Sequence, residues 1–411
     1  MKVKFSLVTQ IFTAFVLAII LGTFFGSSID FLKPFGELFL RLIKFIIAPL
    51  ILSTLVVGVA STTDPKQLGR IGFKTVVYYF ATTAVAIVIG LAVAFAISPG
   101  EGVSVSSDGL VAPEAATKEP QSPITTLLHI VPDNPFTSLA NGSILQIIFF
   151  ALFLGIGITL VGEKAQPVFK FFEGFAEVMY KITAIVMKVA PIGILGLLAP
   201  VVGQYGPSVL LPLLKVIVAV YVACLLHAVI VYSTAVKTFG KMSPKKFFKG
   251  ISPAALVAFS TASSAGTLPV TIKNTNENLG VPKKISSFVL PLGATINMDG
   301  TAIYQGVAVI FIAQFYNLEL SFLQLLTVVL ITILASIGTA GVPGAGMIML
   351  AMVLTSVNMP LEGIALIAGI DRVLDMMRTS VNVVGDASAA VVVAGTETET
   401  ETVEEKQSVT S

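Results

Sequence analysis

The sequence predicts an all-α polytopic membrane protein, with eight transmembrane helices plus two re-entrant helical hairpins arranged as inverted repeats. Three observations carry this expectation. The chain has 411 residues, 55% hydrophobic and only 12% charged, and its mean hydropathy of +0.93 lies outside the range of soluble globular domains. Uncharged runs at Phe5 to Ile29, Phe45 to Thr63, Thr75 to Gly100, Asn134 to Gly162 and Val216 to Val236 each reach the roughly 20 residues that cross hydrocarbon as helix, about twice what a barrel strand needs. After Lys249, two further apolar runs are interrupted by small and polar residues in a way that ordinary spans are not.

Taken in order, residues 1–71 hold helices 1 and 2, 72–98 helix 3, 125–203 helices 4 and 5, and 207–238 helix 6. The first run is too long for a signal-peptide core and lacks a small-residue cleavage site, so it reads as a retained helix. Lys2, Lys4, Lys66, Arg70, Lys74, Lys237, Lys241, Lys245, Lys246 and Lys249 mark cytoplasmic sides by the positive-inside rule. The N-terminus is then cytoplasmic, and the loops at 27–35, 99–124 and 203–208 lie outside. Helix 3 brings Tyr78, Tyr79, Thr82 and Thr83 into an apolar run. Alone, that cluster reads as interfacial tyrosine and ordinary helix–helix hydrogen bonding.

Several function classes fall away. A net charge of +2, with the basic residues confined to short loops, offers no nucleic-acid surface. The single Cys224 reads as a packing residue. His129 and His227 have no Cys, Asp or Glu at metal-ligand spacing and are assigned no site role. No GxxxxGK[ST] loop occurs, so any pumping draws on an ion gradient. Ser263 and Ser264 have no nearby intramembrane His or Lys to act as base, which argues against a hydrolase or other enzyme.

The run from Gly250 to Ile272 is broken by FSTASSAGT at Phe259 to Thr267, and that from Leu320 to Leu361 by GTAGVPGAG at Gly338 to Gly346. Lipid cannot satisfy freed backbone groups, so each run is expected to be a hairpin of two half-helices whose tip is buried in protein or faces water. An inner hairpin at 245–275 opens inside, by Lys249, Lys273, Lys283 and Lys284, and an outer hairpin at 321–355 opens outside. Each is followed by a helix with a polar cluster. Helix 7 (284–316) carries NMDGT at Asn297 to Thr301, and helix 8 (360–395) carries Asp371, Asp375, Arg378, Thr379, Asn382 and Asp386. At about 100° per residue the last six fall within roughly 100° of arc, a polar stripe that must face protein. Charge at membrane depth costs about 2.5–3.5 kcal/mol per residue in insertion measurements, which makes the stripe a candidate transport site. Paired interrupted segments of opposite orientation point to the binding site of a secondary transporter. Residues 396–411 read as a solvated cytoplasmic tail.

TASSAGTLPVT at 261–271, NMDGT at 297–301, SIGTAGVPGAG at 336–346 and DMMRTSVNVVGD at 375–386 together resemble the glutamate/aspartate transporter family of dicarboxylate and amino-acid:cation symporters, in particular its prokaryotic members. The likeness extends over nearly the whole chain. It implies a homotrimer in the cell membrane, with both termini cytoplasmic. A scaffold would hold transport domains made of helices 3, 6, 7 and 8 with both hairpins, each sliding as an elevator, and the outer hairpin would be the gate.

An acidic amino acid carries two carboxylates and one ammonium. Arg378 can hold the side-chain carboxylate as a fork, and Asp375, one turn away, can take the ammonium. Thr379, Asn382 and Thr301 add neutral hydrogen bonds. The α-carboxylate is expected at Ser263 and Ser264, where a half-helix begins. The resemblance agrees on these positions and adds Val342 and Gly346. A purely structural Asp375–Arg378 ion pair is the plain alternative. Asp299 and Asp386 have no evident cationic partner in the sequence, and a buried carboxylate without one protonates or binds a cation.

Oxygen ligands suited to sodium come from Asn297, Asn382, Thr295, Thr82, Thr83 and Tyr79, and from carbonyls at Gly293, Ser336, Ile337 and Thr339. The resemblance divides them into three sodium sites. The first is Gly293, Asn297, Asn382 and Asp386; the second Thr295, Met298, Ser336, Ile337 and Thr339; the third Tyr79, Thr82, Thr83, Asn297 and Asp299.

Two departures stand out. Where family members often place an arginine beside the inner serines this chain has Ala262, and Arg372 follows Asp371 on helix 8, where it is expected to pair with a local carboxylate. Ala265 replaces a third serine. The expected cargo is L-aspartate or L-glutamate with Na+. The alternatives are a proton-coupled glutamate or C4-dicarboxylate carrier, in which Asp299 or Asp386 titrates, and a channel, against which the asymmetric charge of the stripe argues.

Overall fold

The computed structural model describes residues 7–62, 70–101, 131–206, 210–336 and 345–410, and among these the regular structure is helical throughout. Lys2, Lys4, Lys66, His129, nearly all of the expected 99–124 loop, and Ile337, Thr339 and Val342 of the second glycine-rich tip lie outside the described residues. Among the described residues, six stretches are long and apolar enough to cross a membrane: Thr9–Ala60, Arg70–Ile97, Gln146–Met187, Leu210–Thr238, Lys283–Phe315 and Asp371–Glu397. The protein is therefore a multi-pass helical membrane protein.

Helix α1 (Leu7–Phe25) passes through a 3-10 turn at Gly26–Leu32 into α2 (Lys33–Thr62), and α3 spans Arg70–Ile97. The short α4 (Pro135–Asn141) starts where the Asn134 side chain accepts the amides of Phe136 and Thr137, and ends at Gly142 in the left-handed region. Next come α5 (Ile144–Val161), α6 (Gln166–Met187) and α7 (Ala190–Tyr205). These helices and α1 and α2 pack chiefly on one another, α1 against α7 and α2 against α5, α6 and α7. Expected helix 6 is α8 (Leu210–His227), one π-helical turn at Ala228–Tyr232, and α9 (Ser233–Thr238).

The first interrupted segment forms two half-length helices, α10 (Pro244–Thr261) and α11 (Ser264–Glu277). Its reversal is written locally. Ala262 takes a left-handed φ of 51° and donates its amide to Ala258 O, at a cost of roughly 1–2 kcal/mol for a residue with a Cβ. Ser263 then turns extended, and its hydroxyl accepts the Gly266 amide at 3.0 Å as N-cap of α11. Within α10, Pro253 removes the amide that would meet Lys249 O, and the Ser252 hydroxyl supplies the missing donor at 3.0 Å.

Expected helix 7 is not continuous. It divides into α12 (Lys283–Ile296) and α13 (Asp299–Phe315), with Asn297 and Met298 leaving helical geometry between them. The polar NMD triplet is where backbone groups are freed, which an unbroken span would not allow. The second interrupted segment supplies α14 (Phe322–Ser336) and α15 (Ala345–Ser356). Expected helix 8 begins later than residue 360: a short α16 (Gly363–Ala368) precedes α17 (Asp371–Thr410), which continues through the segment read as a tail.

The α10–α11 pair packs on α9, α12 and α17, whereas α15 rests against α2 and α5 as well as α13 and α14. Helices α3 and α13 cross closely, since a Cβ on Gly90 would stand 2.6 Å from Ile303 O. At the other end of α3, Glu397 of α17 accepts from Arg70 Nη2 at 2.8 Å and from Lys74 Nζ at 2.7 Å. These two contacts bind the first turn of α3 to the end of the long helix.

Candidate functional site

The stripe of α17 lies in the interior as its periodicity requires. Asp371, Asp375, Arg378, Thr379, Asn382 and Asp386 are all buried, Arg378 to 1% exposure. Arg378 Nη1 stands 3.0 Å from Asp371 Oδ1, and Nη2 stands 2.9 Å from Asp375 Oδ1. Its guanidinium carbon lies 4.1 Å from the Tyr304 ring centroid, a cation–π contact. The ion pair given above as the plain alternative is thus present, enlarged by a second carboxylate. Yet among the described residues no Arg378 nitrogen makes an aligned hydrogen bond. A planar guanidinium with five donors, only two of its nitrogens paired to carboxylates here, is suited to receive a further carboxylate from outside the chain.

Both interrupted segments reach this helix. At Gly346, near the start of α15, a Cβ would meet Arg378 Nη1 at 2.6 Å, and Gln305 Nε2 of α13 donates to Gly346 O at 3.1 Å. From the other side, Arg372 Nη2 donates to Ser260 O at 3.1 Å and lies 3.5 Å from Thr261 O. This corrects the expectation that Arg372 pairs with a carboxylate. It instead covers the open carbonyl end of α10, where the helix dipole favours a cation. Ser263, expected at the substrate, spends its hydroxyl on the Gly266 amide as N-cap of α11, and Ser264 beside it is buried. Thr301 joins the stripe through Asn382 Nδ2 at 3.4 Å.

Because Arg378 is clamped from three sides, it cannot retreat from a new methyl group. Gly346→Ala should weaken substrate binding by about tenfold, the effect of 1–3 kcal/mol of overpacking, seen as a raised KM for uptake. An unchanged KM would show that α15 does not close over Arg378.

The first expected cation set is drawn together. Asn297 Nδ2 donates to Asp386 Oδ1 at 2.9 Å and to Asn382 O at 3.2 Å, while Asn297 Oδ1 is buried without a partner among the described residues. Gly293 packs so close that a Cβ there would lie 2.5 Å from both Asp386 Oδ1 and the Tyr79 hydroxyl. The third set converges on Asp299, whose Oδ1 accepts Thr83 Oγ1 at 2.7 Å and Thr82 Oγ1 at 3.4 Å. Tyr79 gives its hydroxyl to Val289 O at 3.0 Å, away from Asp299. Its neighbour Tyr78 contacts Ser388. The second set is not assembled by contacts among the described residues. Thr295 is exposed and bonds to Leu292 O, Ser336 bonds to Ile333 O, and Met298 Sδ takes Asn382 Nδ2 at 3.3 Å.

Sequence reasoning missed two groups at Asp299. His227 Nε2 stands 3.3 Å from Asp299 Oδ2, with both side chains fully buried, and the Tyr232 hydroxyl donates to the same oxygen at 2.7 Å. The sequence assigns His227 no site role, since it lacks ligand-spaced neighbours. The usable signal was simpler: a histidine deep in an apolar span needs a polar partner. Asp371 stood on the stripe without a role, and Gln305, alone in the apolar part of α13, was passed over.

The sequence model of the sodium:dicarboxylate symporter family matches residues 7–396. The chain belongs to this family. Relatives of the symporter family agree over nearly full length. A proton/sodium-glutamate symport protein of Geobacillus stearothermophilus is 42% identical over 399 residues, covering 95% of this chain and 94% of its own. A proton/glutamate-aspartate symporter of Escherichia coli K12 is 41% identical over 409 residues, covering 96% and 93%. A C4-dicarboxylate transport protein of Cupriavidus taiwanensis is 37% identical over 398 residues, covering 96% and 92%. Like the rest of the sodium:dicarboxylate symporters, the protein is a membrane transporter and not an enzyme.

Proposed function

We propose that the protein is a sodium-coupled secondary symporter of acidic amino acids, aspartate or glutamate. The observation that carries this reading is the buried Arg378 guanidinium, set between Asp371 and Asp375 on the polar stripe of α17. A substrate carboxylate would complete the fork, and its ammonium would compensate the carboxylates so released. The names of the relatives favour the same cargo, glutamate or aspartate. Sodium is read from the oxygen-rich surroundings of Asp386 and Asp299, and from Asn297 Oδ1, which awaits a partner. Arg378, Asp375, Thr379, Asn382, Thr301, Ser264 and the α11 amides would bind the amino acid, with Gly346 and Val342 covering it.

In this reading α10–α11 and α14–α15 are the inner and outer hairpins of an inverted repeat, and the outer one is the gate. The transport unit of helices 3, 6, 7 and 8 moves as an elevator against the helices around α2 and α5. The contact of α15 with α2 and α5, beside an inner hairpin seated on α9, α12 and α17, suits the inward-facing end of that movement. The assembly would be a homotrimer in the cell membrane with both termini cytoplasmic.

A second reading is favoured by one observation. Asp299 is met by the His227 imidazole and the Tyr232 hydroxyl, and some relatives are named for protons. A proton-coupled glutamate or C4-dicarboxylate carrier would use Asp299 in this way. Labelled aspartate and glutamate flux into proteoliposomes, under separate sodium and pH gradients, decides between them. Accumulation driven by sodium alone is expected. Uptake indifferent to sodium but driven by a pH gradient would establish the second reading, and succinate competing as strongly as aspartate would remove Asp375 as ammonium partner.

A further inference from the structure

Eight lysines decorate four neighbouring helix ends: Lys237 at the end of α9, Lys245, Lys246 and Lys249 at the start of α10, Lys273 near the end of α11, and Lys283 and Lys284 at the start of α12, with Lys241 in the turn between α9 and α10. All eight are exposed. From Lys237 to Lys284 the only acidic residue is Glu277, so this stretch of chain carries a net +7. Four of these charges are placed against local preference. Lys245, Lys246, Lys283 and Lys284 crowd the first turns of α10 and α12, where the helix dipole is already positive and neither helix has an acidic residue to offset it. The inside location of a loop requires positive charge but not charge at helix N-termini. A local rule broken four times on one face indicates an anionic partner outside the fold.

The position of the face selects that partner. The apolar stretch Leu210–Thr238 has Lys237 one residue before its end, and the stretch Lys283–Phe315 begins at Lys283. Between them Phe239 is 57% exposed, an aromatic ring set where a span meets the headgroup layer. Lysines here can lay their stems along hydrocarbon and raise their ammonium groups to the phosphates. They are separate point charges spread along a rim, not arginine forks converging on one anion. We propose that this face is a docking surface for anionic phospholipid headgroups of the leaflet at that end. The inference needs only the membrane position of the chain, and stands apart from any assignment of cargo or coupling ion.

The test uses the full-length protein in liposomes, with spin-labelled phosphatidylglycerol or phosphatidylcholine reporting lipid at the protein surface. At low salt, phosphatidylglycerol should be selected several-fold over phosphatidylcholine. About 0.5 M salt should bring the ratio close to one, by screening. The variant Lys245→Gln/Lys246→Gln/Lys283→Gln/Lys284→Gln should lose most of the selectivity, and Lys170→Gln/Lys181→Gln on α6 should keep it. In pure phosphatidylcholine the four-fold variant should unfold at the same temperature as the parent or higher, because dipole repulsion has been removed. Equal selection of the two lipids by the parent overturns the proposal, as does selectivity surviving in the four-fold variant. A lower unfolding temperature of that variant in phosphatidylcholine assigns the lysines to internal structure, and abolition of selectivity by millimolar inorganic phosphate assigns them to a soluble anion. Either result overturns it.

Discussion

Arg378→Cys should abolish uptake of aspartate and glutamate while protein still reaches the membrane. Removing one partner of a buried charge cluster costs about 3–5 kcal/mol, equivalent to roughly two to four orders of magnitude in affinity. Here the loss leaves Asp371 and Asp375 facing each other without a cation. That residual negative field repels a doubly acidic substrate and tolerates one with a neutral side chain. The variant is therefore expected to bind a neutral amino acid such as serine better than aspartate, measured by displacement of labelled substrate in proteoliposomes. Undiminished aspartate transport would remove Arg378 from the binding role. A variant that fails to reach the membrane is controlled by Arg378→Lys, which keeps the charge but not the fork; it should assemble normally and still lose most of its aspartate affinity.

Asp386→Asn should raise the sodium concentration needed for half-maximal uptake by at least about tenfold. Among the described residues no cationic side chain touches Asp386, whose contacts are Asn297 Nδ2 and the close approach at Gly293. The amide matches the shape and removes only the charge, so the effect isolates the demand for a counter-ion; about 1.4 kcal/mol corresponds to each tenfold change. A sodium titration of aspartate uptake reads the shift. Identical sodium curves for parent and variant would mean that the carboxylate is held protonated. The same titration on Asp299→Asn separates the two carboxylates, since Asp299 has its own hydrogen-bond donors in Thr83 and Tyr232.

Much of this site could be read from residue order, because its largest part lies on one helix. The spacing of Asp371 to Asp386 places all six polar groups on one buried face, and the Asp375–Arg378 pair that the structure shows is the plain alternative offered by a separation of three residues, not the leading reading. The reversal at Ala262 and Ser263 was equally local, since an apolar run broken by small and hydroxyl residues can resolve only where its backbone is satisfied. What could not be read depends on contacts between helices distant in sequence. Asp299 meets His227 across 72 positions and Thr83 across 216, and no spacing rule relates such residues. Arg372 escaped for a different reason: a cation can be answered by helix carbonyls as well as by a carboxylate, and only the arrival of α10 beside α17 selects the carbonyls of Ser260 and Thr261. The break at Asn297 and Met298 was visible as polar composition, but its effect on helix continuity was not.

The wide turn at Ala228–Tyr232 has a consequence for how the chain tolerates insertions and deletions. A π-helical turn holds one residue more than regular winding requires, so this is a site where helix 6 could shorten by one and become more uniform. Such a deletion would leave the helix on either side close to its present phase, so the imidazole would stay in place while the bulge that carries the phenol onto Asp299 is lost. Length variation at this point is thus a genetic handle that uncouples the tyrosine from the histidine without changing the identity of either.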